Sequence, residues 1–201
     1  MENKIVKCGK LNISNSSPFT LIAGPCQLEN EKHAIDVASE LKEITQKLNI
    51  GLIYKTSFDK ANRTSLKGKR GAGLEKSLPV FDKIRKDIGI PVLTDVHTIE
   101  QCEIVSKHID VLQIPAFLCR QTDLLIAAAT NKSVCLHKKA GICKTSTCLE
   151  TISHCSIVCT SVKTGIPTSF LIFSKTGRDF SRPAPLFPFK LVRLALSKEV
   201  L

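Results

Sequence analysis

The stretch Leu52-Ile53-Tyr54-Lys55-Thr56-Ser57-Phe58-Asp59-Lys60-Ala61-Asn62-Arg63-Thr64-Ser65 sets the reading of the whole chain. It begins with a short apolar run, Leu52 to Tyr54, that reads as a strand. Polar chemistry follows at once. The cations Lys55, Lys60 and Arg63 are interleaved with the hydroxyls of Thr56, Ser57, Thr64 and Ser65 and the amide of Asn62. Arg presents a planar fork of donors that matches a phosphate or carboxylate, and Lys adds a compact point charge. At the end of a strand this mixture suits a small polyanionic substrate; a solvated basic loop is the plain alternative.

The same order, strand and then helix with polar residues at the junction, recurs on both sides. Upstream, Lys4 to Val6 and Leu11 to Ile13 flank a turn at Gly9 and read as a hairpin. Phe19 to Ala23 is an apolar run ended by Gly24-Pro25, the pattern of a strand buried on both faces. Asn30 is placed to cap a helix with Glu31 in its first turn, and Ala34, Ala38, Leu41, Ile44 and Leu48 recur at helical spacing.

Downstream, Gly71 to Gly73 is a turn, and Leu74, Leu78, Phe81, Ile84 and Ile88 mark a second helix whose first turns Pro79 should distort. Pro91 to His97 is a third strand, and Thr98 with Gln101 forms a capping box for a third helix. Val111 to Ala116 is a fourth strand, and Thr122-Asp123 opens a fourth helix through Ala129. Ser133 to Leu136 starts a fifth strand, followed by Lys138-Lys139. Repetition of this kind argues for parallel strands joined by crossover helices in an α/β domain. A doubly wound sheet and a TIM barrel both satisfy it, and in either the site lies at the carboxyl ends of the strands.

Composition narrows the class. A length of 201 residues with 43% hydrophobic content supports one domain with a real core. The first ten residues are polar and charged, unlike a secretory signal, and no apolar run approaches the roughly 20 residues of a membrane helix. Nine cysteines, an odd and scattered set, fit a reducing cytoplasm better than a disulfide scaffold. Net charge is +11 and unevenly spread: residues 1–134 hold 19 Lys and Arg against 15 Asp and Glu, whereas residues 135–201 hold 10 against 3.

Character changes near Lys139. Residues 1–139 read as the amino-terminal part of a barrel domain, and residues 140–201 as an irregular basic tail with clustered cysteines and the prolines 183, 185 and 188. Cys155 and Cys159 have a tolerable zinc-ligand spacing, but Cys143 and Cys148 are loosely placed, and no zinc site is expected there. The tail lacks the interleaved aromatics of a nucleic-acid binder, so that partner is not expected either.

Lys60-Ala61-Asn62-Arg63-Thr64-Ser65 closely resembles the 3-deoxy-D-manno-octulosonate 8-phosphate (Kdo8P) synthase family. The sister family, the 3-deoxy-D-arabino-heptulosonate 7-phosphate synthases of aromatic biosynthesis, typically shows Lys-Pro-Arg-Thr here, so Asn62 favours the former. Two further matches are Thr94 to His97 and Gln113 to Asp123, and the resemblance spans about residues 5–139.

The resemblance implies a (β/α)8 barrel, incomplete here: a hairpin and four to five units. It also implies a transferase that condenses phosphoenolpyruvate with D-arabinose 5-phosphate and water for lipopolysaccharide biosynthesis. On it, Lys60, Asp95 and His97 are the catalytic candidates. Lys55, Ser57, Asn62, Arg63, Thr64, Ser65, Gln113, Pro115, Ala116, Arg120 and Lys138 are the substrate-binding ones. Arg120 resembles an arginine that reaches a neighbouring subunit, implying a homo-oligomer, a tetramer in the family; Phe117 reads as packing. Cys26 falls where metal-dependent members carry a ligand for a divalent ion such as zinc, iron, manganese or cobalt.

The loss of family pattern after Lys139 is read as a shifted reading frame at Lys138-Lys139. One base out of register, the codons open to Leu136 to Cys143 permit Phe-Ile-Lys-Lys-Gln-Gly-Phe-Ala, similar to the family's Ile-Lys-Lys-Gly-Gln-Phe. Activity of the chain as written is therefore doubtful. The competing readings are the sister synthase, and an inactive fragment whose basic tail binds nucleic acid.

Overall fold

The computed structural model describes residues 5–14, 17–61 and 65–131, and the backbone of three later strands, residues 135–137, 156–161 and 168–174. Strands β1 (Val6–Cys8) and β2 (Leu11–Ile13) form an antiparallel hairpin that turns through Gly9 at a φ of 55°. Then strand and helix alternate: β3 (Thr20–Pro25), α1 (Glu31–Lys47), β4 (Gly51–Lys55), α2 (Leu74–Lys83), β5 (Val92–Asp95), α3 (Ile99–Val105), β6 (Val111–Ile114), α4 (Thr122–Asn131) and β7 (Cys135–His137).

From β3 to β7 each strand pairs in parallel with the next. A doubly wound sheet reverses its strand order at a switch point. This unbroken succession is instead the wall of a barrel, and with the helices on one side the domain is a partial (β/α) barrel.

Two further strands, β8 (Ser156–Ser161) and β9 (Thr168–Ser174), pair antiparallel with each other, and β9 pairs antiparallel with β3. The sheet order is therefore β7-β6-β5-β4-β3-β9-β8. Residues 140–201 carry no regular element in the sequence reading, so these two strands are a difference. Their runs, Ile157 to Thr160 and Phe170 to Phe173, are β-branched or aromatic for the most part, which favours strands once a partner edge is present. Pairing with β9 covers the β3 edge, which would otherwise expose a row of backbone donors and acceptors.

Side chains alternate across a strand, so each contributes to two cores. Leu21, Ala23, Leu52, Tyr54, Val92, Leu112 and Ile114 pack outward against Ala34, Ala38, Leu41, Val80, Phe81, Cys102, Val105 and Leu124 of the helices. Ile22, Ile53, Leu93 and Val111 face inward, where the hairpin residues Val6, Cys8 and Ile13 cover them.

The helix starts follow their capping residues. Asn30 Oδ1 accepts a hydrogen bond from the His33 backbone N–H at 2.9 Å and opens α1. Asn30→Ala should lower stability by about 1 kcal/mol and Asn30→Gly by only a few tenths, because Gly leaves the extended cap conformation accessible; chemical denaturation of the two variants checks the order. Thr98 Oγ1 accepts from Gln101 N at 3.3 Å, as a capping box requires. The return bond differs from that motif: Gln101 Oε1 accepts from the backbone N–H of His97 at 2.7 Å, one residue before the cap.

Pro79 is accommodated on the exposed side of α2, and the irregular turn comes later, as a π-helical segment at Ile84–Ile88 that ends on left-handed Gly89. Arg85 of that segment holds Asp110 through Nε–Oδ2 at 3.0 Å and Nη2–Oδ1 at 3.2 Å, and Asp110 Oδ2 accepts from Val92 N at 2.9 Å. These bonds tie the end of α2 to the starts of β5 and β6, opposite the strand ends that carry the polar residues.

Candidate functional site

Stepping along the inner face by twos shows how the sheet builds the site. The apolar layer is Ile22, Ile53, Leu93 and Val111. The next positions, towards the carboxyl ends, are Gly24, Lys55, Asp95 and Gln113, and Cys26, Ser57, His97 and Pro115 follow just past the strand ends. In the register Ile22 lies beside Ile53 and Asp95 beside Gln113, while Lys55 lies beside Leu93, so the polar positions step by two residues between β4 and β5. The face thus changes from apolar to polar in one step, with Lys55 and Gln113 nearly fully buried.

Lys55 Nζ donates to Ser57 Oγ at 2.9 Å. His97 Nε2 stands 3.3 Å from Asp95 Oδ2, at ion-pair distance without the alignment of a hydrogen bond. Burial opposes ionisation of Asp95 most strongly, but the adjoining His97 ring, the Lys55 ammonium and the Ser57 hydroxyl together hold its carboxyl below the usual carboxylate range. Phe58 meets the His97 ring edge-on, with centroids 6.1 Å apart, and Phe117 stacks on it at 6.2 Å with 15° between the planes.

Several buried polar atoms here have no hydrogen-bond partner among the described residues: Asp95 Oδ1, both His97 ring nitrogens and Gln113 Oε1. A buried polar atom left unpaired costs roughly 1–3 kcal/mol, so a cluster of them at one strand-end layer marks where a polar ligand is received.

The loop that follows β4 is tied down by backbone bonds. Leu28 N donates to Ser57 O at 2.8 Å, Gly73 N to Phe58 O at 3.0 Å, and Lys60 N to Arg70 O at 2.7 Å. Lys60 is thereby fixed by its main chain while its side chain is half-buried. Arg70 pairs with Asp59 through Nε–Oδ1 at 2.9 Å. Gly24 lies so close to β4 that a Cβ there would be 2.0 Å from Lys55 O.

Of the residues singled out in the sequence, the structure gathers Lys55, Ser57, Asp95, His97 and Gln113 on one buried face. Pro115 and Ala116 follow at the end of β6, Ser65 and Arg120 are exposed, and Asn62, Arg63, Thr64 and Lys138 lie outside the described residues. Cys26 is half-buried at the end of β3. Among the described residues no three of His, Cys, Asp or Glu gather as a metal-binding group, and Cys26 has no second donor beside it there.

For Gln101 and Phe117 the sequence shows a cap spacing and a packing residue, without the partner that each one meets. Gln101 showed its cap spacing but not that its side chain would fix the His97 backbone. Phe117, which reads as packing, stacks on His97 while 55% exposed. The physical reason is that its turn projects it across the strand ends, where only the neighbouring strand β5 offers a partner.

Comparison with known proteins agrees with this architecture. Proteins named 2-dehydro-3-deoxyphosphooctonate aldolase from Brucella anthropi, Brucella ovis and Brucella canis are 63% identical to this chain over 137 residues, 68% of the chain and 50% of each relative. The chain spans about half the length of these curated relatives. The model of the DAHP synthetase I family matches residues 3–181, past the boundary at residue 139. A parallel barrel wall with a polar layer at its carboxyl ends, matched over most of its length, places the chain in the DAHP synthetase I family.

Proposed function

We propose that this site serves the condensation of phosphoenolpyruvate with D-arabinose 5-phosphate and water to give 3-deoxy-D-manno-octulosonate 8-phosphate and phosphate. The observation that carries the reading is the gathering of Lys55, Asp95, His97 and Gln113 at the strand ends, with polar atoms of the last three unpaired among the described residues. The names of the 63% identical relatives support it.

The reaction must hold two phosphates and a carboxylate together, and fixed cations offset their repulsion. Lys55 and Lys60 face phosphoenolpyruvate. The backbone at Gln113, Pro115 and Ala116 meets its phosphate. Asn62, Arg63, Thr64 and Ser65 take the sugar phosphate, and Lys138 adds charge. Carbon 3 of phosphoenolpyruvate forms the new bond to the aldehyde carbon, water adds at carbon 2, and phosphate leaves. Asp95, ionised, and His97 beside it are placed to accept the proton that the water gives up. Positioning and preorganised charge supply most of such catalysis.

Arg120, exposed on the turn before α4, would reach a second copy of the chain, so a homo-oligomer belongs to this reading. A divalent metal at Cys26 belongs to it only with partners outside the described residues. No helix among the described residues is long and apolar enough to cross a membrane, and on its odd cysteine set we place the protein in the cytoplasm.

The second reading, erythrose 4-phosphate as acceptor, is favoured by the family description and opposed by Asn62. Phosphate release from phosphoenolpyruvate should be faster with arabinose 5-phosphate than with erythrose 4-phosphate. The reverse order would overturn the proposal. Release with neither sugar, together with DNA binding that weakens steeply with salt, is what the fragment reading expects.

A further inference from the structure

Among the described residues, Asp95 is the one polar side chain that the His97 ring meets, and it lies at ion-pair distance. The two ring nitrogens are buried and without a hydrogen-bond partner among the described residues, and Nε2 stands 3.3 Å from Asp95 Oδ2. Gln101 fixes only its backbone N–H. Two aromatic rings set its plane. Phe58, 1% exposed at the end of β4, supplies an edge at 67°, and Phe117, on the turn after β6, covers a face at 15°.

We infer that Phe117 is a positioning residue: its stacked ring sets the plane of the His97 imidazole and so directs Nε2 at Asp95. Three observations converge on it. Phe117 remains 55% exposed, so burying its own surface is not what places it. An apolar clamp orients an imidazole without engaging either nitrogen, whereas a carbonyl on Nδ1 would fix one tautomer. Both nitrogens thus stay available, one towards Asp95 and the other for a proton in transit. Finally, Phe117 directly follows Pro115 and Ala116, on the same short turn at the end of β6.

In the free protein the test needs no substrate. A stacked phenyl ring displaces the resonance of the imidazole carbon-bound protons upfield. The His97 signals, identified by their loss in His97→Gln, should show that displacement in the wild type, lose it in Phe117→Leu and keep it in Phe117→Tyr. Thermal melts of both Phe117 variants should match the wild type, because the side chain is largely exposed. Unchanged His97 signals in Phe117→Leu would overturn the inference. So would a Phe117→Leu protein that no longer melts cooperatively, which would make Phe117 a core residue. The catalytic arm rests on the proposed function: kcat should fall in Phe117→Leu and recover in Phe117→Tyr, with KM for phosphoenolpyruvate little changed. Displaced signals without turnover in any variant would count against the proposed function and leave the clamp standing.

Discussion

Replacing Lys55 with Met should lower stability by about 1–3 kcal/mol at neutral pH, since the buried Asp95 carboxyl would lose the attraction of a nearby ammonium. Lys55 is 5% exposed, and its ammonium helps to keep the buried Asp95 ionised. In the wild type the Asp95 carboxyl lies below its ordinary value of 3.8. A group depressed on folding adds stability that is complete above its unfolded pKa and is lost as pH falls through the folded one. In Lys55→Met, burial, the largest influence on Asp95, meets only His97 and Ser57. The carboxyl then rises, and the variant is penalised most where Asp95 must be charged.

The gap between wild type and Lys55→Met should therefore be widest near pH 7 and narrow as pH falls through the carboxylate range. Denaturant titrations at pH 7 and pH 4 measure it. Equal gaps at the two pH values would show that Lys55 acts by packing alone. Adding Asp95→Leu to Lys55→Met should recover part of the loss, because the carboxylate that the ammonium helps to keep charged is then gone. In turnover, the loss of one preorganised contact of this kind is worth roughly a hundredfold, about 3 kcal/mol of barrier.

Gly24→Ala should be more damaging still, with loss of the cooperative transition or a drop of more than about 4 kcal/mol, the range reserved for a broken core feature. The Cβ would meet Lys55 O at 2.0 Å, Lys55 C at 2.9 Å and Lys55 N at 3.1 Å. All three are backbone atoms and cannot swing aside. Relief requires β3 and β4 to separate, against a register that pairs Ile22 with Ile53 and Ala23 with Tyr54. Both strands are held on their other sides as well, β3 by β9 and β4 by β5.

Gly89→Ala is the control. Gly89 has a φ of +74° and nothing within 4 Å of an added Cβ, so its cost is the left-handed backbone alone, about 1 kcal/mol. Denaturation of the two variants side by side separates steric collision from backbone preference. Equal losses would mean that β3 can shift away from Lys55 freely, and the polar layer would then be less rigid than its geometry implies.

Local pattern alone determined a good deal. The alternation of strand and helix, the caps at Asn30 and Thr98, and the position of Lys55, Asp95 and Gln113 at strand ends are set by residues within a few positions of one another. Strand parity then fixes which face each side chain takes, so Asp95 and His97 had to share one. The motif from Lys60 to Ser65 pointed to a family from residue identity alone, and Gly24, Pro25 and Cys26 stood out in the same way.

Tertiary structure decided what depends on distant segments meeting. Consecutive parallel pairing from β3 to β7 made the sheet a barrel wall, because strand order is a property of long-range pairing that no local pattern encodes. The same holds for β9, whose pairing with β3 joins residues more than a hundred positions apart. Two apolar runs that look irregular alone become strands when an edge needs covering. Phe117 reads as packing from its type alone; only the adjacency of β5 and β6 set it against His97. Gly24 read as a strand stop, yet its necessity comes from the carbonyl of Lys55, thirty-one residues on, which leaves no room for a side chain.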